Sequence, residues 1–190
     1  MLSQIRPALV SLAIFTVLTG AVYPAVVTGI AQAAFRSQAN GSVVVVGGKE
    51  VGSSLLGQPF TDPKYFWGRP SATGPQAYNG ASSSGSNQGP TSTALINAVK
   101  ARIQALRDAD PGNTDPVPVD LVTASASGLD PHISPAAANY QVRRVARLRG
   151  LDEAAVRDLV AKHTQGPQLG LFGEPVVNVL ALNLALDAMK

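Results

Sequence analysis

The 190-residue chain has no cysteine, and only 14% of its residues are charged. The lack of cysteine excludes disulfides, thiolate metal ligands and a cysteine nucleophile. Ordinary soluble domains carry about 25% charged residues, so this deficit argues against a freely soluble protein. The net charge of +3 is too weak to indicate nucleic-acid binding, and we expect no such partner.

The charge deficit is concentrated near the N-terminus, where residues 7–35 contain no Asp, Glu, Lys or Arg. A bilayer-spanning helix needs about 20 mainly apolar residues, so this run predicts a transmembrane anchor that Pro24 kinks. Gly20 is one of several small residues that would let a partner helix approach closely. A cleaved signal peptide, indicated by the A-x-A sequence at 31–33, and a buried core helix are the alternatives. Positive charges on both sides of the run leave its orientation open.

Residues 36–190 have the mixed pattern of a single α+β domain, mainly helical with a few short strands. The valines at 43–46 and the glycine pair after them predict a strand and a turn. A proline-flanked apolar segment at 116–122 predicts an edge strand. Apolar spacing and capping residues predict four helices, at about 92–109, 135–148, 153–163 and 175–189.

Residues 57–92 form a long stretch rich in Gly, Ser, Asn and Pro that also holds five of the ten aromatic residues. A flexible tether would lack aromatics, so we expect an ordered, functional loop. Trp67 and its aromatic neighbours would anchor the loop or line a pocket. Arg69 lies between Trp67 and Pro70, and we expect these neighbours to fix the position of its positive charge. Such a side chain is suited to bind a partner's carboxylates or carbonyls. We therefore expect Trp67 and Arg69 to contact a partner or to hold the loop.

The segment 125–132 brings Ser125, Ser127, Asp130 and His132 close together in sequence. A hydrolytic triad collects its members from separated loops, whereas this crowding is typical of turns and caps. We therefore assign no catalytic residue and expect Asp130 to cap neighbouring backbone. The two histidines lack zinc-ligand spacing, and we expect no metal site.

Two further patterns have structural interpretations that compete with functional ones. Residues 47–53 resemble a phosphate loop only loosely, because Glu50 follows the lysine and would repel an anion; a turn is the better interpretation. The arginines between 143 and 149 permit a helix-turn-helix, but a solvated basic face explains them equally well. No residue is assigned to cofactor binding.

Several strings resemble one known family over the whole chain. They are GQPF at 57–60, YFWGRPSA at 65–72, YN at 78–79, SSGSNQGP at 83–90, PVDLVTASASGLDPHISP at 118–135, GEP at 173–175 and LNLALD at 182–187. Together they are similar to the C subunit of the bacterial Kdp-type potassium-transporting ATPase. The string of eighteen residues is the most specific of them.

The resemblance implies a non-catalytic accessory subunit of an ATP-driven potassium pump. Its partners would be a channel-like potassium-translocating subunit, a P-type ATPase subunit, a small accessory helix and the lipid bilayer. It implies a single-pass protein of the bacterial inner membrane, with residues 1–6 cytoplasmic, 7–35 as anchor and 36–190 periplasmic. It also implies a catalytic chaperone that raises the ATPase subunit's affinity for ATP, so that ATP acts through the complex.

Two interpretations of other classes stay open at this point. One is a membrane-anchored hydrolase that uses Ser127 or Ser125 with His132. The other is a membrane-tethered module whose loop at 57–92 captures a ligand. An organised base and oxyanion hole would favour the hydrolase, whereas co-purification with larger membrane proteins would favour the accessory subunit.

Overall fold

The structure is a computed structural model that describes residues 2–189, and side chains within helices and strands from residue 3 onward. The chain divides after Val43 into two compact units. The first is an apolar helical rod, and the second is a mixed domain of helices and short strands. The expected α+β class with one N-terminal apolar helix is confirmed.

The N-terminal unit contains the one described helix that is long and apolar enough to cross a membrane, at Ile5–Ala34. At 1.5 Å per residue its 30 residues span about 45 Å, which exceeds a bilayer core of about 30 Å. Its parts are α1 (Ile5–Val17), a π-helical turn (Leu18–Val22) and α2 (Tyr23–Ala34). A 3-10 turn (Leu2–Gln4) precedes it, and the short α3 (Arg36–Ala39) follows it.

The π-helical turn lies immediately before Pro24, the proline that predicts a kink. Proline has no N–H and its ring crowds the carbonyl four residues earlier, which here belongs to Gly20. The N–H of Tyr23 donates to the carbonyl of Leu18, five residues back, so the helix widens before the proline. A single wide turn of this kind keeps the helix continuous through Pro24.

The second unit begins with a two-stranded hairpin of β1 (Val43–Val46) and β2 (Lys49–Ser53). Gly47 and Gly48, both with positive φ, form its turn, as the sequence predicts. A second sheet has the order β3 (His132–Ile133), β5 (Val176–Asn178), β4 (Thr164–Gln165), and its neighbouring strands are antiparallel. Val177 pairs with Ile133 on one side and with Thr164 on the other.

Four helices complete the domain: α4 (Thr93–Ala109), α5 (Pro135–Arg149), α6 (Glu153–Lys162) and α7 (Val179–Asp187). The side chains of Ser134 and Asp152 accept hydrogen bonds from the first turns of α5 and α6, as their sequence positions predict. The core is apolar and lies between these helices and the second sheet. Its fully buried members include Phe66, Ile133, Val142, Val145, Val156, Val160, Val177, Leu182 and Leu186.

Two of the sequence-based element predictions are wrong. The predicted edge strand at 116–122 is a 3-10 turn (Val119–Leu121), because the prolines around it remove donors that a strand needs. The predicted helix at 175–189 begins only at Val179. Its first residues form β5 instead, and the side chain of Asn178 caps α7 by accepting from the Ala181 N–H.

Candidate functional site

Two buried carboxamides hold the loop at 57–92 by its backbone. Asn183 of α7 accepts from the Phe66 N–H at 2.9 Å and donates to the Phe66 carbonyl at 3.0 Å. Gln141 of α5 does the same to Trp67, at 2.8 and 3.1 Å. Each amide thus satisfies both backbone groups of one loop residue, as a neighbouring strand would. We call this arrangement the amide clamp.

Arg144 completes the amide clamp from α5 and is 2% exposed. One Nη donates to Gln141 Oε1 at 2.6 Å, the other donates to the Pro63 carbonyl, and the guanidinium lies 4.5 Å from the centre of the Trp67 ring. Burial lowers the pKa of Arg144 to about 10, so the side chain remains charged at neutral pH. The Trp67 indole N–H donates to the Asp62 carbonyl at 3.1 Å, which makes Trp67 an anchor of the loop.

Arg69 connects the loop to the string at 118–135. Its Nη1 lies 3.2 Å from Asp130 Oδ2, and its Nη2 donates to the Ala124 carbonyl at 3.4 Å. Its Nε is buried and has no hydrogen-bond partner among the described residues. The side chain is 26% exposed. Arg69 therefore holds the loop in place, and its two terminal nitrogens each have a second N–H beyond these contacts.

Asp130 has the capping role that its sequence position predicts. Its Oδ1 accepts from the His132 N–H at 2.9 Å, while Oδ2 accepts from Arg69. Burial alone would raise the pKa of this carboxyl, but the hydrogen bonds from His132 and the charge of Arg69 outweigh burial and lower it. Tyr78 donates to the Arg69 carbonyl, and burial followed by the nearby Asp130 raises the Tyr78 pKa to about 12.

Gly57 is where the backbone of the loop meets the 118–135 string. Its N–H donates to the Leu129 carbonyl at 2.9 Å. A Cβ at this position would lie 2.2 Å from the Tyr78 ring and 2.7 Å from the Asp130 carbonyl oxygen. Glycine is therefore required here by close packing.

An open cavity of about 310 Å³ lies beside the amide clamp and Arg69. Its walls combine aromatic and aliphatic side chains with two arginines: Phe60, Trp67, Arg69, Tyr78, Arg102 and Leu106. Arg102 donates to the Val122 carbonyl at 2.7 Å, and burial lowers its pKa. Such walls suit one or two apolar side chains together with an anionic or carbonyl group.

The sequence profile of one family, described as "KdpC: K+-transporting ATPase, c chain", matches residues 5–188. The chain belongs to the KdpC family. It is 63% identical to the potassium-transporting ATPase KdpC subunit of Methylococcus capsulatus and 66% identical to that of Sorangium cellulosum. Both matches cover 190 residues and all of both chains. The corresponding subunit of Variovorax paradoxus is 68% identical over 184 residues, 97% of this chain and 95% of that one.

Membership of the KdpC family confirms the resemblance on which the accessory-subunit prediction rests. The match runs through the apolar helix as well as the domain, so both units belong to the family's pattern. A KdpC chain is an accessory subunit, and the ATPase activity of the complex resides in another subunit. Among the described residues, the one helix that is long and apolar enough to cross a membrane is consistent with a single-pass protein of the inner membrane.

In this KdpC chain the two serines of the hydrolase alternative lie together, with their hydroxyls 3.4 Å apart, but both bind the backbone of their own turn. Ser125 Oγ accepts from the Gly128 N–H at 3.0 Å, and Ser127 Oγ accepts from the Leu129 N–H at 3.1 Å. The Nδ1 of His132 faces Asp130 Oδ1 at 3.5 Å. Both hydroxyls thus stabilise the turn, and the hydrolase interpretation lacks a general base that is bound to its nucleophile. Within the described residues, no three His, Cys, Asp or Glu side chains are grouped to hold a metal ion.

Gly20, the candidate contact in the apolar helix, lies in the π-helical turn. A Cβ built on it meets no described atom within 4 Å. A larger side chain would therefore be accommodated within the N-terminal unit itself. Contacts of a Cβ with the described residues therefore do not require glycine at this position.

Sequence reasoning missed the three residues of the amide clamp. Gln141 and Asn183 interrupt the apolar faces of their helices, and an isolated amide on such a face is the signal that could have found them. The arginines between 143 and 149, for which the sequence permits a helix-turn-helix or a solvated basic face, have separate roles. Arg144 is buried, Arg147 pairs with Asp110 at 2.9 Å, and Arg149 pairs with Asp187 at 2.7 Å.

Proposed function

We propose that this KdpC chain stabilises a potassium-transporting ATPase and raises the affinity of its P-type ATPase subunit for ATP. Its partners in this proposal are that subunit, a channel-like potassium-translocating subunit and a small accessory helix. The observation that carries the proposal is the family match over residues 5–188, which includes the anchor and the loop together. We propose further that the domain lies on the periplasmic side of the inner membrane.

The amide clamp supports an interaction role for the loop at 57–92. Its buried hydrogen bonds fix the backbone of Phe66 and Trp67, so the loop loses little further entropy when a partner binds. The cavity and the partly exposed side chain of Arg69 then form a preorganised surface. We propose that this surface contacts the potassium-translocating subunit, with Arg69 meeting a carboxylate or a cluster of carbonyls.

The effect on ATP is indirect in this proposal. Gly47 and Gly48, the glycines that loosely resemble a phosphate loop, close the β1–β2 hairpin. Nucleotide in the cytoplasm and a domain in the periplasm are separated by the bilayer. The coupling therefore runs through the apolar helix and the potassium-translocating subunit, both of which cross the membrane in this proposal.

The proposal is tested on the complex isolated from gently solubilised membranes. An affinity tag on this chain should recover the larger subunits in fixed proportion. The ATPase of the recovered complex should show a lower KM for ATP than a preparation from cells without this chain. Failure to recover the subunits contradicts complex membership. Recovery with an unchanged KM contradicts only the effect on ATP affinity.

The cavity beside Arg69 favours a second candidate, a membrane-tethered module that binds a small ligand. Its volume of about 310 Å³ is within the lower range of ligand sites. The two proposals differ in what stabilises the chain. A small anionic ligand that raises the melting temperature of the purified chain would favour the module, whereas a rise only on addition of partner subunits would favour the accessory role.

A further inference from the structure

The chain turns back on itself where the apolar helix ends. The side-chain amides of Gln32, in α2, and Asn40, after α3, exchange two hydrogen bonds at 3.2 and 3.3 Å. The Ser42 N–H donates to the Ser37 carbonyl at 2.8 Å. Residues 35–42 are therefore folded compactly against the last turns of the helix, and β1 begins at the next residue. We call residues 35–42 the exit turn.

The strand β1 is apolar, exposed and at the edge of its sheet. Three of its four valines are exposed, Val43 at 44%, Val45 at 57% and Val46 at 49%. Gln58 ties β2 to the rest of the domain by donating to the Val51 carbonyl at 2.7 Å, whereas β1 has no neighbour in its sheet other than β2 among the described residues. An apolar edge strand of this kind pairs with other chains or aggregates unless something covers it.

The length of the apolar helix puts the exit turn in the headgroup layer of a bilayer that the helix crosses. The 30-residue helix spans about 45 Å, whereas the hydrocarbon core spans about 30 Å and the bilayer with its headgroups about 40–45 Å. Arg36 is the first charged residue after the uncharged run, so the hydrocarbon ends at or before it. Gln32, to which Asn40 is bonded, lies four residues or about 6 Å earlier in the helix. The exit turn therefore folds back toward the hydrocarbon.

The valines of β1 are within reach of the acyl chains. Val43 follows the exit turn directly, and Val45 and Val46 lie at most about 7 and 10 Å farther along the chain. Segments bound at a membrane surface bury their apolar faces about 5–10 Å into the boundary between headgroups and acyl chains. The covalent connection to the helix therefore brings β1 to the lipid without any further partner.

The charges beside β1 complement lipid headgroups. Arg36 precedes the strand and Lys49 follows it, and neither side chain forms an ion pair within the described residues. Glu50 is the only acidic residue from 36 to 61, so this stretch has a net charge of +1. Basic side chains beside apolar ones can bind lipid phosphates while their aliphatic stems remain against the acyl chains.

We propose that β1 lies in the membrane surface, with Val43 and Val45 at the boundary between headgroups and acyl chains and with Arg36 and Lys49 against lipid phosphates. The partner is the leaflet that surrounds the exit turn. This contact goes beyond the proposed function, because it requires only that the apolar helix crosses a membrane. It depends neither on which side of the membrane the domain occupies nor on any effect on ATP.

The direct test uses the lack of cysteine, which makes any introduced cysteine the only labelling site. The full-length Val45→Cys chain is labelled with a fluorophore and reconstituted into vesicles of phosphatidylcholine and phosphatidylglycerol. Lipid that carries a nitroxide near the top of its acyl chains should lower the fluorescence of the label at least twofold. Val27→Cys, in the apolar helix, reports insertion of the helix. Leu148→Cys, at a similarly exposed site in α5, is the matched control and should not be quenched.

Each outcome of this measurement bears on the lipid contact. Quenching at Val45 that is no greater than at Leu148, in vesicles where the Val27 label is quenched, overturns the proposal. A Val27 label that lipid does not quench overturns the membrane-spanning helix on which the proposal rests. In the whole transporter in the same vesicles, continued quenching at Val45 supports the contact, whereas its loss shows that another subunit covers β1 and overturns it. Co-purification of the subunits, which tests the proposed function, is independent of these results.

A second test removes the two positive charges. In the Val45→Cys chain, the double substitution Arg36→Gln, Lys49→Gln should reduce quenching of the label at least twofold, because the phosphates then no longer hold the strand at the surface. The difference should shrink at high salt, which screens charges at the membrane surface. Lys100→Gln, which removes an exposed positive charge from α4, is the matched control and should leave the quenching unchanged. Equal quenching in the double variant and the control overturns the assignment of Arg36 and Lys49 to lipid phosphates.

Discussion

The loop held by the amide clamp and the hairpin at 168–172, which the Gln168–Phe172 bridge closes, both carry large apolar side chains, but they place them in opposite surroundings. Phe66 is fully buried, and Trp67 lies between a buried arginine and the core. Leu169 and Leu171, in contrast, are more than 80% exposed. The loop obtains its order from tertiary contacts, whereas the hairpin obtains it from its own backbone bonds and its two strands. Burial thus makes the first part of the folded core, whereas the large side chains of the second remain exposed.

Of the substitutions that test this difference between the buried loop and the exposed hairpin, Asn183→Ala is expected to have the largest effect. The change leaves the N–H and the carbonyl of Phe66 unpartnered, and each buried unpartnered group costs about 1–3 kcal/mol. We expect the free energy of unfolding to fall by about 3 kcal/mol. Fluorescence during thermal unfolding measures it directly, because Trp67 is the only tryptophan.

Asn139→Ala is the matched control for that experiment. Asn139 is exposed, and its amide donates to the Pro135 carbonyl within its own helix. Its loss should cost only a few tenths of a kcal/mol. Equal melting temperatures for the two variants would show that the loop does not depend on the amide clamp.

Arg69→Ala tests whether the clamped loop is also a contact surface. If Arg69 anchors a desolvated contact, its loss should weaken association with the larger subunits by about 2 kcal/mol. Arg157→Ala, which removes an exposed partner of Glu153, is the control and should cost well under about 1 kcal/mol. Weaker assembly at an unchanged melting temperature supports the interface. A lowered melting temperature makes Arg69 structural, and no effect on either rejects both roles.

Gly20→Leu extends the comparison to the anchor. The N-terminal unit itself has room for the side chain, so we expect weaker assembly by about 1 kcal/mol with no change in the melting of the second unit. Val22→Leu adds one methylene on the far side of the helix and should assemble normally. Assembly of the Gly20→Leu complex at the wild-type level would place Gly20 against lipid.

The smallest expected effect concerns pH. The folded-state pKa of Asp130 lies below its unfolded value of about 3.9, so the carboxylate contributes stability above that pH and loses it as the pH falls through the folded pKa. Asp130→Asn should therefore be less stable than wild type near neutral pH, and the difference should shrink below about pH 4. Melting curves across this range measure it. A difference that is independent of pH would contradict the assigned charge.

The elements that the sequence predicts correctly are those with a local cause. A long uncharged run is enough to indicate the apolar helix, and Ser134 and Asp152 mark the first turns of their helices without reference to the rest of the fold. The errors concern segments of two or three residues, such as β5, which are too short to show a period of two.

The site was predictable only in outline. Aromatic residues in the loop indicate that it is ordered, and the spacing of Trp67 and Arg69 points to an anchored positive charge. Neither observation identifies the residues elsewhere in the chain that bind the loop. Gln141 and Asn183 lie 74 and 117 residues from the loop backbone that they bind. Such pairings depend on how helices pack, and the same packing turns Arg144 inward while Arg147 remains half-exposed.

The distance along the chain between Phe66 and Asn183 has a consequence for the order of folding. The contact closes a segment of 117 residues, and such non-local contacts form late. At a synthesis rate of about 5–20 residues per second, the ribosome adds Asn183 roughly 6 to 23 seconds after Phe66. Until then the backbone of Phe66 lacks its partner, although Gln141 is already available to Trp67. A chain that stops before α7 therefore leaves the Phe66 N–H and carbonyl without the partner that Asn183 supplies, and this part of the loop is less well held than in the finished subunit.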